Sequence, residues 1–86
     1  MNNEQNEFDD KQLIYLSILE YEIYRIAKNN GYFMILNNTN NILFKFVQDN
    51  FVKLVKKLNE KKYHLSSFVV NGEMKFLIEW NDYLCF

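Results

Sequence analysis

Apolar positions change their period along this chain, and the changes divide it into elements. From Asp9 to Asn30 they recur at helical spacing, with Leu16, Leu19, Ile23, Ile26 and Ala27 on one face. Asp9 and Asp10 stand where an N-cap belongs, and Gln12 supplies a variant of the capping box. Asn29-Asn30-Gly31 is a stop signal, with Gly31 suited to a left-handed cap. A first helix is therefore expected over residues 9–30. Tyr32–Leu36 and Ile42–Val47 are short runs rich in strand formers, and Asn37-Asn38-Thr39-Asn40-Asn41 between them is all turn chemistry. These predict a hairpin with a longer loop.

Helical spacing returns from Asp49 to Lys62. Phe51, Val52, Leu54, Val55 and Leu58 make an apolar face, and Lys53, Lys56, Lys57 and Lys61 make the opposite one. Asp49 or Asn50 is the expected cap, although the helix could begin a few residues earlier and shorten the strand before it. The last two runs, Tyr63–Val70 and Glu73–Trp80, flank Asn71-Gly72, the strongest short-range hairpin signal in the chain. A two-residue turn there sets Val69 opposite Met74, Ser67 opposite Phe76, Leu65 opposite Ile78 and Tyr63 opposite Trp80. Those residues share one face, and that face is overwhelmingly apolar, so turn and pattern agree on the register.

The predicted class is α+β: two helices packed on one face of an antiparallel sheet, in the order α-β-β-α-β-β. Strand order is left open. Residues 1–8 are expected to be a flexible lead-in and residues 9–86 a single domain. At 86 residues the core is small, but 49% hydrophobic and 17% aromatic content gives each buried side chain a large area.

No signal-peptide pattern opens the chain and no apolar run approaches a membrane-spanning length, so a cytoplasmic location is expected. The single cysteine, Cys85, rules out an internal disulfide and suits a reducing compartment. Abundant Asn, Lys, Ile, Tyr and Phe point to AT-rich coding DNA, as in many low-GC bacteria and their phages.

Charge is segregated. Residues 1–24 carry a net −5, residues 25–62 a net +6 and residues 63–86 a net −2, which leaves −1 for the whole chain. The lysine face at Lys53, Lys56, Lys57 and Lys61 is a candidate contact for nucleic acid or an acidic partner. It lacks arginine, the bidentate reader of phosphate and guanine, so non-specific contact is its limit. A solvated helix face is the plainer explanation. The first helix carries a second apolar stripe, Ile14, Ile18 and Tyr21, continued by Arg25, well away from its core face. This is the candidate partner-binding or dimer surface. The outer face of the last hairpin, with Phe68, Val70 and Leu77 among charged neighbours, is more apolar than a solvated face needs to be. Self-association or cover by Tyr83-Leu84-Cys85-Phe86 would both account for it.

Chemistry is scarce. His64 falls opposite Glu79 in the expected register and is read as a structural surface pair rather than a general base. A Cys85–His64 nucleophile and base is the weakest reading, since no motif places a nucleophile beside that histidine. One His and one Cys cannot furnish a structural zinc site, and two glycines cannot build a phosphate loop. No cofactor, metal or small-molecule substrate is expected. The expected function is a small non-catalytic protein-binding module. Its size and composition are compatible with a phage or mobile-element accessory protein that inhibits a host enzyme or defence complex by surface occupation. A nucleic-acid-binding regulator using the lysine face is the alternative.

Overall fold

In a computed structural model, residues 8–80 are described. Three helices and a three-stranded antiparallel sheet follow in the order α1 (Asp10–Lys28), β1 (Phe33–Leu36), α2 (Ile42–Asp49), α3 (Phe51–Asn59), β2 (His64–Val70) and β3 (Glu73–Glu79). The α+β class holds, and the expected order does not. Ile42–Val47 is helical rather than a strand, so there are three helices instead of two, and no hairpin joins it to β1.

The reason lies in the period of burial. Leu43, Phe44, Phe46 and Val47 are buried, a helical spacing that continues through Asn50, Leu54 and Leu58. Asn41 caps α2, its side chain accepting from the Leu43 amide at 2.7 Å. The lysine helix is correspondingly shorter than expected. It ends at Asn59, which leaves Lys61 and Lys62 in the turn beyond it.

Asn50 occupies the N-cap position of α3 but makes no side-chain cap bond. Its side chain turns inward. It donates to the Phe46 carbonyl at 3.0 Å and accepts from Gln12 Nε2 at 3.1 Å. It is the buried polar residue of the described core, and both ends of its amide are satisfied.

At the start of α1 the capping box forms as expected. Asp9 accepts from the Gln12 amide at 2.8 Å, and Gln12 Oε1 accepts from the Asp9 amide at 3.0 Å. At its end, Asn30 rather than Gly31 takes the left-handed conformation, with φ 68°. The Gly31 amide donates to Ile26 and the Asn30 amide to Ala27, the paired bonds of a Schellman ending.

β3 lies between the other two strands, in the order β1-β3-β2. The β2–β3 register matches the expected one, including Val69↔Met74, Ser67↔Phe76, Leu65↔Ile78 and His64↔Glu79. Asn71 and Gly72 both have positive φ, 53° and 79°, as a type I′ turn requires. On the other edge, β1 pairs Met34 with Ile78 and Leu36 with Phe76. Trp80 prolongs that contact, its amide donating to Tyr32 and its indole Nε1 to Gly31, both at 3.0 Å.

One sheet face, with Met34, Leu36, Leu65, Phe76 and Ile78, meets the helices in a single core. There the Phe44 and Phe76 rings pack with centroids 4.9 Å apart and planes tilted by 52°, and Leu19, Ile23, Leu54 and Leu58 are fully enclosed. Truncating Phe44 to alanine in such a site costs about 3–5 kcal/mol. Phe8, the last residue of the expected flexible lead-in, packs half-buried beside Phe46 at 6.1 Å; residues 1–7 lie outside the described part of the chain. The Cα dimensions, 40 × 35 × 18 Å, are those of a two-layer slab.

Candidate protein-docking surface

A slab of one sheet and one helical layer can enclose only the inner side of a helix. α1 spends Leu16, Leu19 and Ile23 on the core, with Ile26 and Ala27 packed partly against it. Tyr15 reaches Phe46 of α2, with ring centroids 5.6 Å apart. Glu20 receives Lys61 at 2.7 Å from the turn after α3. These contacts take up the inner side and the flanks. Nothing within the described residues covers the remainder.

That remaining side is apolar. Leu13, Ile14, Ile18, Tyr21 and Tyr24 are each between 43% and 60% exposed. Ile14, Ile18 and Tyr21 were legible in the sequence as a second stripe. Leu13 and Tyr24 widen it, and a helical wheel would have placed both beside it. The stripe's fourth residue, Arg25, is exposed and held to Glu22 at 2.7 Å, so it borders the band as one half of a local ion pair. The guanidinium is pushed further above its usual range, first by that hydrogen bond and then by the same carboxylate's charge. Exposed apolar area of this extent on one helix is what interaction surfaces show.

Three of the four lysines share one side of α3, and the fourth, Lys61, lies beyond the helix end. Lys53, Lys56 and Lys57 line a shallow depression of about 200 Å³, but Glu60 lines it too. Lys57 lies 3.9 Å from Glu60, and Lys53 sits over the Phe8 ring at 4.9 Å. Lys61, beyond the helix end, is committed to Glu20. Lys56 is exposed and forms no ion pair with a described residue. The result is a mixed-charge hollow with three ammonium groups around it.

The sheet face away from the helices is the second apolar area. Phe68, Val70 and Leu77 lie there as expected, and β1 adds Phe33 and Ile35, both exposed. His64 and Glu79 face each other across β2 and β3 on this side without an ion pair between them. Tyr83-Leu84-Cys85-Phe86 fall outside the described residues, and with them the Cys85–His64 pairing. The chain matches no protein-family model, no curated protein and no solved structure.

Among the described residues no three His, Cys, Asp or Glu side chains gather as metal ligands, and no buried side-chain polar atom lacks a partner. No described helix is long and apolar enough to cross a membrane. Among the described residues, exposed large apolar side chains gather on the outer band of α1 and on the sheet face away from the helices.

Proposed function

We propose that this chain is a non-catalytic protein-binding module whose docking surface is the outer band of α1. The observation that carries the reading is the exposure of five large apolar side chains along the outer side of one helix. Such a module acts by occupying a surface. Inhibition of a host enzyme or defence complex is the form of that action which the composition suggests. Affinity capture from cells of the source, with wild type and an Ile14→Glu/Tyr21→Glu variant side by side, tests it. The variant is expected to lose the partner while its melting temperature stays close to wild type, since both side chains are exposed. A variant that folds and keeps every wild-type interaction overturns the band as the docking surface.

A second reading rests on Lys53, Lys56 and Lys57 around one depression: a nucleic-acid-binding regulator making phosphate contacts. Its affinity would fall steeply with salt. Lys53→Glu with Lys57→Glu would abolish binding, and binding that survives both substitutions ends this reading.

A further inference from the structure

Resting on the reading of the α1 band as a docking surface, we infer that its occupant is a second copy of this chain, with the two α1 helices antiparallel across a twofold axis. Along the outer side of α1 the residues Asp10, Ile14, Ser17, Tyr21, Tyr24 and Lys28 follow one another at intervals of 4, 3, 4, 3 and 4. That is the spacing of a helix–helix seam. All six are exposed.

The seam is also complementary to itself. Reversed end to end, it sets Asp10 against Lys28 of the second copy, Ile14 against Tyr24, and Ser17 against Tyr21. Small therefore meets large at the centre, and opposite charges meet at both ends. Asp10 and Lys28 are eighteen residues apart, five full turns and about 27 Å along the same line of the helix. A parallel pair would instead set Asp10 on Asp10 and Lys28 on Lys28. Lys28 already lies over the Tyr24 ring, 5.9 Å from its centroid, which holds its charge at that end of the seam. The flanking Arg25 is neutralised by Glu22 within its own helix.

The area sets the strength. The five apolar side chains of the band offer on the order of 500 Å² per copy, so a pair covers roughly 1,000 Å², the lower bound for a specific interface. Lys53, Lys56 and Lys57 are on α3, outside the seam. A reversible, concentration-dependent dimer is the expected outcome, rather than an obligate one.

Sedimentation equilibrium from micromolar to millimolar protein tests this. Wild type should shift from 10.5 kDa toward twice that mass. Asp10→Lys alone and Lys28→Glu alone should each weaken the dimer roughly tenfold, because each turns two attractions into two repulsions. Mixing the two variants should restore dimers, and so should the double variant in one chain, which also shows that both substitutions leave the fold intact. A wild type that stays monomeric at millimolar concentration overturns the inference. If band-dependent capture of another protein persists in that case, the docking reading stands with a different partner; if that capture fails as well, both fall. A dimer indifferent to the charge reversals overturns the inference too, since it would use another face.

Discussion

Gln12 Nε2 donates to Asn50 Oδ1 at 3.1 Å, joining the first turn of α1 to the junction between α2 and α3. The same Gln12 closes the α1 capping box through its Oε1. Asn50 in turn donates to the Phe46 carbonyl, which also accepts from the Asn50 backbone amide at 3.1 Å. One amide pair therefore caps a helix, crosses between elements and satisfies the break between two helices. Each amide uses its donor end and its acceptor end on different partners, so neither can be replaced by a carboxylate without losing a bond.

Gln12→Glu isolates the cross-element part of this arrangement, because a glutamate closes a capping box equally well. The substitution should leave the α1 cap intact and still cost about 1 kcal/mol, since it removes the donor to Asn50. Asn50→Asp should cost more, about 1–3 kcal/mol, because it sets a buried carboxylate against the Phe46 carbonyl. Urea melts of the two variants and their combination give the coupling. Additive effects would show that the two amides do not act as a pair.

Gly31 is required for closeness rather than for backbone angle. A Cβ there would sit 2.3 Å from Ile26 Cγ2 and 3.0 Å from the Ile26 carbonyl oxygen, and the second of these is backbone that cannot turn aside. Gly31→Ala should therefore destabilise the fold by about 1–3 kcal/mol, measured by thermal unfolding. Asn30→Gly, at the left-handed position, should change stability by no more than about 1 kcal/mol.

Lys62 holds φ 70° at the end of α3, where the Tyr63 amide donates to Leu58 and the Lys62 amide to Asn59. A side chain in that conformation is strained by roughly 1 kcal/mol. Lys62→Gly should recover about that amount and raise the melting temperature by several degrees. An unchanged or lower melting temperature would mean that the lysine makes up the strain elsewhere.

Stability should decline at alkaline pH. The Lys61 ammonium is held above its ordinary value, first by the hydrogen bond to Glu20. The Tyr63 phenol is pushed up, first by burial, with the Lys61 charge opposing. Both groups keep their protons in the folded chain after the unfolded chain has released its own, so the fold loses stability as pH rises above about 10. Below that pH the Lys61 contribution is fully present. It is about 0.5 kcal/mol or less, because the lysine is half exposed and screened. Glu20→Gln should make the alkaline decline shallower without abolishing it, since Tyr63 remains, as melting temperatures between pH 8 and 11 would show.

What the chain by itself determined is what neighbours in sequence settle between themselves. The capping box at Asp9 and Gln12 starts α1 within three residues. Asn71 and Gly72 accept positive φ, and that turn locks β2 and β3 into the one register that collects their apolar side chains on one face. The second stripe on α1 was visible for the same reason, because helical spacing alone separates it from the core face. Tertiary structure decided the rest. Ile42–Val47 is so uniformly apolar that it suits either period, and it became a helix once Asn41 capped it and β1 paired with β3 instead. That pairing brings together residues forty or more positions apart, which no local pattern encodes. Whether Ile14, Ile18 and Tyr21 would be buried was equally a matter of assembly: among the described residues, α2, α3 and the sheet pack only on the inner side and flanks of α1, and these three side chains stay exposed.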